Sequence, residues 1–123
     1  MRINSWKILR ADLTRKKIDD EEIGIETLRL FMGGSGTGAK ILYDETSAVT
    51  NPLGPENMLI FMTGIFTGSM VPSSGGHSVI AKSPLTGIYG ECDIGGSWRA
   101  PLKRAGYDGI VITGISEEPF IYY

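Results

Sequence analysis

The 123 residues are 41% hydrophobic and 21% charged, and they carry a formal net charge of −2. That length suits one domain with one core. The near-balanced charge, free of long charged runs, argues against a nucleic-acid surface or a membrane-attracted patch. One cysteine, Cys92, leaves no intramolecular disulfide and no four-thiolate iron–sulfur cluster within the chain. The start Met1-Arg2-Ile3-Asn4 lacks the layout of a signal peptide, and no apolar run approaches the ~20 residues that span a bilayer. The simplest reading is a cytoplasmic protein. Glycine is over-represented, at 17 residues. The glycines are scattered among apolar runs, as turns and close backbone approaches require.

Trp6 to Leu13 alternates apolar and polar residues, the period of a half-buried strand. A polar link, Thr14 to Lys17, leads to a second extended stretch, Ile18 to Ile23, so a hairpin is predicted. The period then changes. Ile25, Leu28 and Phe31 recur at helical spacing, with Glu26 in the first turn, and Gly33-Gly34 end the helix in a left-handed cap. A second helix is predicted from Thr37 to about Asp44, with Ala39, Leu42 and Tyr43 inward. Asn51 to Pro55 breaks regular structure. Strands follow at Met58 to Thr63 and, after a Gly/Ser/Pro loop, at His77 to Lys82, with Val79 and Ala81 on one face and Ser78, Ile80 and Lys82 on the other. Ile88 to Cys92 is a further strand and Pro101 to Ala105 a short helix that Gly106 ends. Ile110 to Thr113 and Pro119 to Tyr123 are the last strands. The sum is α+β, a mixed β-sheet with a few short helices, with no linker to divide 1–123. A chain stopping inside an apolar strand is expected to have something following it or pairing with it.

Gly33 to Lys40 invites comparison with a phosphate loop, but Ala39 separates the last glycine from Lys40 and Ile41 follows it, against the Walker pattern. The spacing of Gly34, Gly36 and Ala39 fits a dinucleotide fingerprint, yet those glycines must follow a strand and here they follow a helix. A helix–helix corner is the better reading. Gly75-Gly76-His77 lies where a Gly/Ser loop enters a strand. The sole histidine there can donate to an anion, although taken alone it reads as a surface residue. Nothing near it has metal-ligand spacing, so no zinc site is supported. At Cys92-Asp93-Ile94-Gly95-Gly96 a strand meets a helix start, where successive backbone N–H groups can hold phosphate. The plainer alternative is a tight turn with a buried thiol. Trp98 and Arg99 can stack on a ring or pair with phosphate, or be a half-buried aromatic beside a solvated charge. No Ser–His–Asp set is recognisable.

Taken together, Ile8 to Thr14, Gly33 to Asp44, Asn51 to Asn57, Thr63 to Gly68, Ala81 to Gly87 and Leu102 to Asp108 resemble, in order and spacing, the N-terminal domain of the aldehyde ferredoxin oxidoreductase family. The resemblance covers essentially the whole chain and implies the first half of a saddle of two related sheets. It further implies a tungsten or molybdenum bis-pterin cofactor lying on that saddle. The complete enzyme oxidises aldehydes to carboxylates and passes electrons to ferredoxin, with cluster cysteines and acid–base residues in later domains. Pterin contacts are implied at Gly76, His77, Asp93, Gly95 and Gly96. The resemblance further implies that the backbone of Asp93 helps hold a magnesium ion between pterin phosphates. Where the family usually has Arg this chain has His77, and where it usually has Asn this chain has Asp93.

The leading expectation is thus a pterin-cradling domain or fragment, not catalytic alone and without an iron–sulfur cluster of its own. The alternatives are a stand-alone, non-catalytic homo-oligomeric binding or assembly module with the same fold, and a small subunit completing an enzyme in trans. Partners follow: the remainder of the enzyme, or a second copy in a homodimer or higher even oligomer, with Ile60, Met62, Val111 and Phe120 to Tyr123 as the exposed apolar contributors.

Overall fold

The computed structural model describes residues 5–119. In chain order these form β1 (Ser5–Asp12), β2 (Lys17–Gly24), α1 (Ile25–Phe31), α2 (Gly34–Glu45), β3 (Met58–Thr63), β4 (His77–Lys82), β5 (Tyr89–Ile94), α3 (Arg99–Arg104) and β6 (Gly109–Thr113). The strands make one 6-stranded sheet in the order β2-β1-β6-β3-β4-β5. β1 and β6 run parallel and every other neighbouring pair antiparallel, so the sheet is mixed and the α+β expectation holds. The expected last strand, Phe120 to Tyr123, lies outside the described residues.

The alternation seen in the sequence sorts the sheet into two faces. Ile8, Val111, Ile60 and Ile80, each fully buried, face the helices and form the centre of the core with Met62, Met58, Trp6, Ile23, Ile41 and Leu42. Ile60, Met62 and Val111 are therefore interior, not the exposed contributors expected for an interface. The period of 2 gave which residues share a face but not which face the helices cover. The opposite face carries a row in register across five strands: Leu9, Ile110, Phe61, Val79 and Cys92. The first four of these are half-buried, and Cys92 is exposed rather than the buried thiol expected.

α1 turns its partly buried Ile25, Leu28 and Phe31 inward, as the spacing predicts. The left-handed turn that stops it starts one residue earlier than expected, at Met32 (φ 58°), and runs on through Gly33 (φ 74°). α2 also starts earlier, at Gly34, and buries Thr37, Gly38, Ile41 and Leu42. Burying Ile41 and Leu42 stabilises this packing by about 1.5–3 kcal/mol each. Tyr43, expected inward, is 84% exposed, because the buried stripe is set by Thr37, Gly38, Ile41 and Leu42. The Gly-rich segment is a helix–helix corner. The Thr37 hydroxyl accepts from the Gly33 N–H at 3.0 Å, and a Cβ on Gly36 would overlap the Phe31 carbonyl. No strand precedes it, so its glycines serve packing. α3 is Arg99–Arg104, two residues earlier than predicted at its start.

Candidate functional site

Antiparallel pairing of β4 with β5 places the first residue of β4, His77, opposite the last residue of β5, Ile94. The turn before β4 and the turn after β5 therefore lie side by side at one end of the sheet. Of the expected site residues, Gly76, His77, Asp93, Gly95 and Gly96 are all brought to that end. A Cβ at Gly76, Gly95 or Gly96 would meet nothing within 4 Å. The space beside these glycines is open to a ligand's close approach, and Gly96 in addition has φ 136°.

His77 is not the surface residue that its sequence position alone indicates. It is 2% exposed, on the open sheet face in register with Thr63 on one side and Ile94 on the other. Trp98, arriving from the turn after β5, meets the imidazole edge-on at 4.7 Å between centroids, and meets Phe61 edge-on at 6.0 Å. Burial lowers the His77 pKa below its ordinary value, and the Arg99 guanidinium lowers it further; Asp93 and the Ile94 carbonyl oppose this without reversing it. The ring's affinity for a proton is therefore reduced.

Asp93 points elsewhere. Its carboxylate accepts a 2.6 Å hydrogen bond from the Ser78 hydroxyl on the helix-facing side of the sheet, and only its backbone remains near the turn. Ser78, Asp93 and His77 are neighbours in sequence or register, yet no triad results. The serine proton goes to the aspartate and the imidazole sits on the opposite face. Among the described residues no group of three or more His, Cys, Asp or Glu side chains could hold a metal ion.

Two residues complete the site. Thr67, 5% exposed, accepts from the Gly64 N–H at 3.1 Å, and its hydroxyl lies 3.2 Å from the Gly76 carbonyl and 3.3 Å from that of Ser74. It thereby fixes the Gly/Ser loop at the point where it enters β4. Arg99, the first residue of α3, lays its guanidinium against Gly75, where any Cβ would overlap it. Among the described residues, two buried side-chain polar atoms lack a hydrogen-bond partner: His77 Nδ1 and Arg99 Nη1. Buried polar atoms are almost always partnered, and both exceptions belong to this one end of the sheet. Sequence reading noticed Arg99 only as one of two options beside Trp98 and missed Thr67, whose sole sign was its place in the stretch Thr63 to Gly68.

The family model described as aldehyde ferredoxin oxidoreductase, N-terminal domain, matches residues 8–123. This chain belongs to that family. A tungsten-containing aldehyde ferredoxin oxidoreductase of Pyrococcus abyssi is 41% identical over 117 residues, covering 95% of this chain and 19% of the relative. An aliphatic sulfonate oxidoreductase, WOR-like subunit, of Pyrococcus furiosus is 38% identical, covering 92% of this chain and 18% of the relative. Among solved structures, the active-site complex BamBC of benzoyl coenzyme A reductase with 1,5-dienoyl-CoA superposes with a TM-score of 0.89 at 37% identity, over 91% of this chain and 17% of that one. The chain thus spans about a fifth of the length of these aldehyde ferredoxin oxidoreductase relatives.

Proposed function

We propose that this chain is the pterin-cradling N-terminal part of a tungsten- or molybdenum-dependent aldehyde:ferredoxin oxidoreductase, holding phosphate-bearing pterin between the turn at Gly76-His77 and the turn at Asp93 to Gly96. The observation that carries this reading is the pairing of two unpartnered buried polar atoms with glycines whose missing side chains leave open space. Unpaired polar atoms in a water-poor place favour a ligand that pairs with them. When bound, the metallated bis-pterin supplies the two-electron redox chemistry at the aldehyde carbon. This chain's residues bind and orient. Backbone N–H groups at the glycine turn are suited to phosphate oxygens. The wall of Trp98 and Phe61 keeps water from the His77 side. Asp93, its carboxylate bonded to Ser78, would offer its backbone carbonyl to a magnesium ion while its carboxylate is turned to the helix-facing side.

The same reading assigns substrate choice to other parts of the enzyme. Relatives whose names specify aldehydes, aliphatic sulfonates and benzoyl coenzyme A resemble this chain to nearly the same degree, at 41%, 38% and 37% identity. A segment that selected the substrate would separate them. The partners that follow are the remainder of the enzyme and, for the whole, ferredoxin. Adding a molybdopterin-type phosphate monoester to the isotopically labelled chain should shift the backbone amides of both turns. The absence of a shift at either turn would reject the cradle.

A further inference from the structure

We propose that Arg99 is the charged grip on a phosphate group in this cradle, with the His77 ring beside it. The inference rests on the cradle reading and names a residue that reading does not need. A guanidinium is always protonated and presents its N–H donors in a rigid fork that fits a phosphate oxygen pair. In this chain the fork is already placed. It lies against the backbone of Gly75, in room that any side chain at 75 would occupy, and Arg99 forms no salt bridge among the described residues. The carboxylate of Asp93, on the strand that leads into the turn, is spent on Ser78. Nη1 is buried without a partner, and so is Nδ1 of His77. Leaving a charged donor desolvated and unpaired is costly, and an oxyanion placed at this end of the sheet satisfies Arg99 Nη1.

The arrangement also accounts for residue 77. With histidine rather than arginine at 77, the permanent charge at this turn comes from its neighbour Arg99, whose guanidinium lies against Gly75. Trp98 sets the ring plane by its edge-on contact at 4.7 Å. The chemistry recognised is a phosphate monoester dianion, whether carried by a pterin or free in solution.

The test uses the full 123-residue chain, titrated with inorganic phosphate and, separately, with a molybdopterin-type phosphate monoester. The indole N–H of Trp98, the ring signals of the sole histidine and the amides of Gly95 and Gly96 are followed by NMR. Arg99→Gln should weaken binding of both ligands about tenfold or more, the loss expected for one charge-assisted contact. Gly75→Ala keeps every charge but pushes the guanidinium aside, and should weaken binding comparably. Arg99→Lys, which keeps charge without the fork, should fall between, and it guards against misfolding of the glutamine variant, as does the Trp6 signal from the core. The pterin ester should move the Gly95 and Gly96 amides as well as the His77 ring, whereas inorganic phosphate should move mainly the ring and Trp98. Unchanged affinity in Arg99→Gln, with Gly95 and Gly96 still responding, overturns the role of Arg99 and leaves the cradle standing. Weakening in Arg99→Gln with Gly75→Ala and Arg99→Lys both like wild type also overturns it, since distant charge alone would then suffice. No response of the wild-type chain to either ligand overturns the inference and the cradle together.

Discussion

His77 is the sole histidine in the sequence, so any protonation between about pH 5 and 7 belongs chiefly to one ring. Burial first, and Arg99 second, hold its folded-state pKa below the ordinary value. The unfolded chain therefore takes up a proton at a pH where the folded chain does not. Stability is at its full value above about pH 6.5 and declines as pH falls through the window down to the folded pKa. Urea midpoints measured across that window should fall toward acid in the wild type and flatten in His77→Gln; equal slopes would mean that the ring's affinity for a proton is not reduced. At this scale the sequence was informative about where the turns lie and weak about what surrounds them. Gly76, Asp93, Gly95 and Gly96 were placed by the resemblance, and pairing of β4 with β5 brings them together. The burial of His77 was invisible, because it depends on Trp98 folding back from a different turn. Arg99 looked like a solvated charge for the same reason.

At the scale of elements, α2 lies on β3 and β4 through a close approach at Gly38. A Cβ there would sit 2.5 Å from Ile80 Cδ1 and 3.6 Å from Ile60 Cγ2, both in fully buried side chains. Gly38→Ala gains roughly 0.5–1 kcal/mol of helix propensity but overpacks the core at a cost of typically 1–3 kcal/mol. A net loss of about 1 kcal/mol is expected on those figures. Ile80→Val removes the atom that is struck, so the double variant should be more stable than the sum of the single changes predicts. Additive urea-unfolding energies would show that the two elements are not in this contact. Periodicity located α2 but misjudged its phase at Tyr43, because an apolar side chain at the right spacing need not lie under the sheet. The glycines of Gly33 to Gly38 resemble a nucleotide loop in spelling. They differ in context, since a helix precedes them and Phe31, Trp6 and Ile80 fill the space that a phosphate would need. The hairpin and the mixed sheet were legible because local period and turn chemistry agree.

At the scale of the molecule, the proposed cradle is one end of a sheet whose open face still carries a half-buried apolar row, Leu9, Ile110, Phe61 and Val79. Aldehyde oxidation coupled to ferredoxin needs an electron relay beyond the pterin, and a cubane cluster needs four thiolates. This chain has one, Cys92, exposed on edge strand β5. Among the described residues, the carboxylate beside the proposed cradle, Asp93, is already bonded to Ser78. Binding and turnover should therefore separate in the 123-residue chain. After incubation with the pterin ligand it should show the amide shifts of both turns, yet it should reduce no viologen dye when an aldehyde is added, and its iron content should stay at background. Dye reduction by iron-free chain would move catalysis into these residues and overturn the division of labour. Dye reduction that appears only when the remaining domains are supplied in trans would support it, because the missing parts would then be those that carry the thiolates and the acid–base groups.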